Sequence, residues 1–481
     1  MRETHDLSIS GEVLIGLSSK VLTMGFGFAA FVLFARQLGP ASLGGYLLVV
    51  AGARLVSKIA RGTGTAIKKR ASEANTDPRE LFGLGILVQI GLVAATTAVL
   101  SLTAQRIQWY IEAPNLVISV VGIVGTLGGF YISQQFYQGL GYPGYSSWID
   151  TIRSIVTTIA QVGLLLTTDL GSFALVIGLC MANGFSALIA VGLGRTWPAI
   201  PSRETIANVW RFGRWSVPDA LVSDVYSRLD VLIIGAVVGN AAVAFYGTGL
   251  RLVQPAAFVA GSIGVPLMVR ASGRHSRDMD VIHDLTNAVS YTSIIAIPIF
   301  FGSLAMPTAI VRTVFGEGFG AAAPAVVGLA AFQVVQTFGT PFTSVWEGID
   351  RIDVEFKIAL VVITFNIPLA IIAAYPYGLV GVIAATIAAE LLRIVLYEAL
   401  AYRIFDDIIF PRPVVEQIIS GAVMFGVVTI LADQVAVTGW LPLLALVSVG
   451  GVVYFGALFA VSRGFRHTTK SVIDEHFPTI P

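Results

Sequence analysis

The chain is a succession of apolar windows, each about as long as a hydrocarbon core is thick. A bilayer takes roughly 20 apolar residues per helix. Windows of that size fall near 12–35, 41–66, 81–103, 115–138, 146–167, 171–193, 213–239, 242–268, 285–306, 322–346, 356–375, 378–401, 413–432 and 439–461. Short polar or Gly/Pro-rich stretches separate them. In lipid every backbone N–H and C=O needs an internal partner, so such a chain folds as spanning helices. The expected fold is all-α and integral to the membrane, with about 14 transmembrane helices and little mass outside the bilayer. With 55% hydrophobic and only 12% charged residues, apolar side chains must face lipid as well as core. The 50 glycines suit close helix packing, where small residues let backbones approach. The first eleven residues are polar and no small-residue cleavage site follows, so the first window is expected to be a retained span.

Charge placement orients the helices. With the N-terminus inside, the even-numbered loops and both tails carry nineteen Lys/Arg, among them Lys68, Lys69, Arg70, Arg79, Arg203, Arg211 and Arg214. The odd-numbered loops carry three: Arg36, Arg106 and Arg312. The positive-inside rule then places both termini in the cytoplasm, as expected of a multi-pass cell-membrane protein with an even number of spans.

The chain also repeats itself. Gly39, Ala41, Tyr46, Ala60, Gly64 and Arg70-Ala71-Ser72 recur 200 positions later as Gly239, Ala241, Tyr246, Ala260, Gly264 and Arg270-Ala271-Ser272. Six windows separate the copies, so both start on the same side and form parallel repeats. The expected organisation is a six-helix bundle over 1–200, a second over 201–405, and two additional helices with a cytoplasmic tail over 406–481.

Eight Lys/Arg fall within the helices away from the window edges: Lys20, Arg54, Lys58, Arg61, Arg153, Arg228, Arg251 and Arg393. Four acids lie comparably deep: Asp219, Asp224, Asp230 and Glu390. A charge at the bilayer centre costs roughly 2.5–3.5 kcal/mol on insertion scales, so such residues face a bundle interior or water. Arg54, Lys58 and Arg61 are spaced i, i+4, i+7 and share one helix face. Snorkelling to headgroups explains Arg61 best and Arg54 least. Asp224 and Arg228 stand at i, i+4, and Glu390 and Arg393 at i, i+3, where mutual neutralisation is the simplest explanation. Pairing cannot cancel the whole set, because the cations outnumber the acids. The excess lies in the first repeat, since the equivalents of Arg54, Lys58 and Arg61 are Gln254, Phe258 and Gly261. A cavity with surplus positive charge calls for an anion, and the planar fork of arginine suits phosphate. The expected substrate-binding residues are Arg54, Lys58, Arg228, Arg251, Lys20, Arg61 and Arg393. Asp224, Asp230 and Glu390 are the candidates for ion coupling.

Catalysis, cofactors and metals find no support. There is no GxxxxGK[ST] loop, HExxH or CxxC, Cys180 is the lone cysteine, and the five His lie in tails or cytoplasmic loops.

The stretch SVPDALVSDVYSRLDVLIIGAVVGNAAVAFYGTGLRL, residues 216–252, resembles the middle of polysaccharide-biosynthesis flippases. The positions that carry the resemblance are Pro218, Arg228-Leu229-Asp230, Gly235, Gly239 and Tyr246. ARQLGPASLGGY, residues 35–46, is similar to the same family's first loop. The family belongs to the multidrug/oligosaccharidyl-lipid/polysaccharide exporter superfamily. The resemblance implies two pseudo-symmetric six-helix bundles around a central cavity, with two extra C-terminal helices. It implies a flippase that moves polyprenyl- or dolichyl-phosphate-linked sugars between leaflets. The partners it implies are the lipid-linked sugar, membrane lipids and glycosyltransferases of the same pathway, with no nucleic acid. Two alternatives stay open. A multidrug or cation antiporter of the same superfamily should show surplus acid rather than surplus arginine. A membrane-embedded glycosyltransferase or ligase needs carboxylates or His on a sizeable outer loop, and the longest, near 307–321, is short.

Overall fold

The computed structural model describes residues 9–73, 76–108, 115–194, 196–277, 279–409, 411–435 and 437–467, and every regular element in them is helical. The helices run α1 Ile9–Ala71, α2 Pro78–Gln108, α3 Leu116–Gly139, α4 Pro143–Thr167, α5 Ser172–Gly194, α6 Arg203–Val237 and α7 Asn240–His275. Then come α8 Ile282–Thr292 and α9 Ala296–Ala305, the short α10 Pro307–Phe315, and a 3-10 turn over Glu317–Ala322. The series closes with α11 Ala323–Gly348, α12 Ile352–Phe405, α13 Arg412–Gln434 and α14 Trp440–Val461. Among the described residues, eleven segments are long and apolar enough to cross a membrane, with α8 and α9 forming one of them. The protein is an all-α, multi-pass membrane protein.

Each expected window falls on a helix, and the two longest helices each span two windows. α1 has 63 residues and α12 has 54, which would be about 95 Å and about 80 Å long if straight. Neither length fits a hydrocarbon core of about 30 Å, so each must turn. α1 turns at Gly39, with φ 71° and ψ 176°, directly before Pro40. α12 turns at Gly378, with φ 55° and ψ −134°. Both lie in the left-handed region that glycine enters without a Cβ clash. Proline after Gly39 restarts the helix, where its missing N–H is harmless. The expected outer loop near 307–321 is largely structured by α10 and the 3-10 turn.

The chain forms two compact units, Met1–Gly235 and Ala236–Pro481. In the first, α3 is the centre of the core: Ile123, Val124, Phe136 and Tyr137 are buried against α1 and α2. Phe82 and Phe136 stack with ring centres 5.0 Å apart. In the second, Phe342 stacks on Tyr397 at 5.5 Å and Trp346 on Phe405 at 6.1 Å, fixing α11 to α12. Exposed apolar side chains such as Ile90, Leu188, Leu441 and Val452 form the lipid-facing surface of such a protein.

The repeat has a packing counterpart inside each unit. A Cβ at Gly64 would lie 3.1 Å from Gln135 of α3, and one at Gly264 would lie 2.8 Å from Ser344 of α11. A Cβ at Gly139 would lie 2.5 Å from the Lys68 carbonyl oxygen, and one at Gly348 would lie 2.6 Å from that of Met268. Lys68 and Met268 are 200 apart, while Gln135 and Ser344 are 209 apart, as are Gly139 and Gly348. The same close crossing is therefore built twice, by glycine where two backbones meet.

α13 is locked to the break between α8 and α9. Buried Gln417 donates to the Ser290 carbonyl at 2.6 Å and accepts from the Ser293 hydroxyl at 2.9 Å. Gln417→Leu strands both groups. It should lower the stability of the second unit by about 1–2 kcal/mol, read from thermal unfolding in detergent. An unchanged midpoint would show that water or a neighbour replaces the amide.

Candidate functional site

The second segment of α1 carries Arg54, Lys58 and Arg61 on one face, as their spacing dictates. Arg54 and Lys58 are half-buried and Arg61 is exposed. The Arg61 guanidinium lies 5.8 Å from the centre of the Tyr131 ring on α3, a cation–π contact.

Arg54 is the deepest of the three. Among the described residues it has no ion-pair or hydrogen-bond partner, and none of its nitrogens is sealed away from accessible space. Its electrostatic surroundings are Arg228 of α6, Arg153 of α4, and the phenols of Tyr46 and Tyr131. Arg228 is half-buried. Arg153 is held firmly: its Nη2 and Nε donate to Asp150 Oδ1 at 2.8 and 3.0 Å, and its guanidinium lies 4.9 Å from the Phe130 ring centre. Its Nη1 donates to buried Asn183 at 3.4 Å. Gln161 donates to the Tyr46 hydroxyl and to the Leu175 carbonyl, both at 2.8 Å, which fixes that phenol on the first unit's frame.

Three arginines from three helices thus surround one region of the first unit. Asp150 offsets the charge of Arg153, whereas the charged neighbours of Arg54 among the described residues share its sign. Like charges in a medium less polar than water repel strongly. An anion entering beside Arg54 would relieve that repulsion and accept hydrogen bonds from its fork. Phosphate has the charge and the oxygen geometry for this.

The other expected residues lie elsewhere or outside the described side chains. Arg251 of α7 and the Glu390–Arg393 pair of α12 belong to the second unit. Arg393 Nε is 3.5 Å from Glu390 Oε2, and both side chains are largely buried. Next to them the Tyr397 hydroxyl donates to Glu355 and meets the Thr343 hydroxyl at 3.0 Å. Asp230 is half-buried on α6. The side chains of Lys20 and Asp224 lie outside the described residues. Among the described residues no cluster of His, Cys, Asp or Glu is arranged to hold a metal. Arg153 and Tyr131 join the candidate site although no spacing rule relates α4 or α3 to α1, while Tyr46 lies eight residues before Arg54 on α1 itself. The local signal for Arg153 is Asp150 three residues earlier, which reads as self-neutralisation and hides its longer-range neighbour.

A family model described as polysaccharide biosynthesis protein matches residues 33–324, more than half of the chain. The chain is 23% identical over 386 residues to the probable low-salt glycan biosynthesis flippase Agl15 of Haloferax volcanii, covering 79% of this chain and 80% of that one. It is 22% identical over 464 residues to the probable flippase AglR of the same organism, covering 92% and 93%. Among solved structures, the lipid II flippase MurJ in an inward closed conformation superposes with a TM-score of 0.78 at 14% identity, over 94% of this chain and 99% of that one. An inward-facing multidrug-resistance transporter of the MATE family gives a TM-score of 0.58 at 17% identity, over 80% and 95%. The fold is therefore that of these transporters. The chain belongs to the polysaccharide biosynthesis protein family.

Proposed function

We propose that this protein is a flippase that carries a lipid-linked sugar or oligosaccharide across the membrane, and that it is a transporter rather than an enzyme. The single observation that carries the reading is Arg54, a forked cation deep in a membrane-spanning helix with no hydrogen-bond or ion-pair partner among the described residues and with Arg228 and Arg153 nearby. A phosphate or diphosphate headgroup supplies the missing countercharge, while the lipid tail stays in hydrocarbon. The names of the two Haloferax volcanii relatives and of the lipid II flippase support the same class of substrate. Lys58 and Arg61 lead from Arg54 toward the cytoplasmic end and guide the headgroup along one helix face. Lys20, Arg251 and Arg393 are further candidates for headgroup contact, and Asp224, Asp230 and Glu390 for ion coupling. Fourteen spans, two six-helix repeats and two C-terminal helices working by alternating access complete the proposal. Glycosyltransferases of the same pathway are the proposed partners.

The purified protein in proteoliposomes should move a labelled polyprenyl- or dolichyl-phosphate sugar to the opposite leaflet faster than protein-free vesicles. Drug efflux coupled to an ion gradient, with no sugar-lipid movement, would replace the proposal with the antiporter.

Both termini are proposed to lie in the cytoplasm. In a Cys180→Ala background, cysteine placed at exposed Ser72 should react with an impermeant maleimide only after permeabilisation. Cysteine placed at exposed Glu317 should react in intact cells. The reverse pattern would invert the topology.

A further inference from the structure

The start of α6 and the residues just before it present an exposed face of tryptophan, isoleucine and arginine. Trp197 is 76% exposed, Trp210 68% and Trp215 71%. Trp148 and Trp440 are exposed elsewhere, but these three fall within nineteen residues of one another, although tryptophan is highly buried on average. Ile200 and Ile206 are exposed beside them. Arg203, Arg211 and Arg214 are exposed on the same stretch, against one acid, Glu204. The Arg214 guanidinium lies 5.6 Å from the Trp215 ring centre.

This face is held in place from behind. Ser216 donates to the Gly62 carbonyl at 2.8 Å, and the Asn208 carbonyl accepts from Arg70 Nε at 3.0 Å. The Lys69 ammonium lies 5.2 Å from the Phe212 ring centre. Ahead of the helix, the Ala199 N–H donates to the Arg79 carbonyl at 2.9 Å, and the Ser202 N–H donates to the Glu80 carboxylate at 2.9 Å. The outward side chains therefore project from a segment tied to the ends of α1 and α2. The stretch of α1 alongside, from Gly62 to Lys69, rises about 10 Å, comparable to the depth of a headgroup region.

We infer that this face seats anionic phospholipid headgroups, with the three arginines on the phosphates and the tryptophan rings at the boundary with the acyl chains. Tryptophan alone suits any membrane interface. Three exposed cations against one acid favour a net negative headgroup over a zwitterionic one. The position favours lipid over a soluble partner, because the face flanks two spanning helices where they leave the apolar layer. The leaflet is the cytoplasmic one under the orientation proposed above, whereas binding to the face does not depend on that orientation.

The test uses the full chain in detergent, titrated with phosphatidylglycerol or phosphatidylcholine. Retained lipids are counted by native mass spectrometry, and stability is read from thermal unfolding. Phosphatidylglycerol should be retained preferentially and should raise the midpoint. Each headgroup-level arginine contributes on the order of fivefold, so R203Q/R211Q/R214Q should weaken that preference on the order of a hundredfold. R203K/R211K/R214K, which keeps the charge, should retain most of it, and this separates lost binding from misfolding. Equal retention of the two lipids by the wild type would overturn the proposal, as would an undiminished preference in the glutamine variant. Saturable binding of a soluble protein to this face, with no preference between lipids, would also overturn it. Maleimide labelling at Ser72→Cys and Glu317→Cys tests the orientation separately, so failure of one proposal is distinguishable from failure of the other.

Discussion

Arg54→Ala should abolish translocation of lipid-linked sugar while leaving the protein folded. Arg54 makes no hydrogen bond or ion pair within the described residues, so its removal breaks no structural contact of that kind. Removing it also relieves repulsion from Arg228 and Arg153, which should leave the thermal midpoint equal or slightly higher. Losing one partner of a desolvated charge pair costs about 2–5 kcal/mol of binding, equivalent to roughly 30-fold to several-thousand-fold in headgroup affinity. Arg54→Lys keeps the charge but loses the planar fork, so it should fall between wild type and alanine. The measurement is the translocation rate in proteoliposomes at matched reconstitution, alongside thermal unfolding. Wild-type rates in an Arg54→Ala/Arg228→Ala double variant would remove this site from the mechanism. A collapsed midpoint in Arg54→Ala alone would instead assign the guanidinium a packing role.

The second large effect concerns the two close crossings. In Gly139→Ala the new methyl would meet the Lys68 carbonyl oxygen at 2.5 Å and the Lys68 Cα at 2.8 Å. In Gly348→Ala it would meet the Met268 carbonyl oxygen at 2.6 Å and the Ala271 methyl at 2.9 Å. Backbone atoms of a packed helix cannot rotate away as a side chain can, so α1 must part from α3, and α7 from α11. Overpacking of this kind costs about 1–3 kcal/mol at each site. The two sites lie in separate compact units and share no neighbour, so the double variant should show the sum within about 0.5 kcal/mol. Gly91→Ala and Gly163→Ala, where an added methyl meets nothing within 4 Å, are the matched controls and should be near neutral. Thermal unfolding in one detergent gives all five midpoints. Controls as damaged as the crossings would mean that glycine matters here for flexibility rather than closeness.

The legible and the hidden parts of this protein divide along a physical line. Window length, charge asymmetry and helix-face spacing are local, and they place the helices and the row Arg54, Lys58 and Arg61. The glycines and the Arg-Ala-Ser triplet of the duplication were also visible, because close crossings constrain residue type. Arg228 was expected to share a ligand with Arg54, whereas the nearness of Arg153 to Arg54 was not visible. It depends on how α4 packs against α1, and no residue type at any one position records that. The break between α8 and α9 was hidden for a similar reason: the Ser290 carbonyl and the Ser293 hydroxyl there are satisfied by Gln417, more than 120 positions later. The outward direction of Trp210 and Trp215 on α6 was hidden too, because no residue type or spacing in the sequence fixes it.

α6 lies after the proposed repeat boundary near residue 200 but belongs to the compact unit that ends at Gly235. On that proposed division, Arg54 and Arg153 belong to one repeat and Arg228 to the other. Neither repeat would then hold this trio by itself, and the region around Arg54 would need a helix from each. Gln254, Phe258 and Gly261 stand where the first repeat has Arg54, Lys58 and Arg61, so that row of cations is found in one half alone.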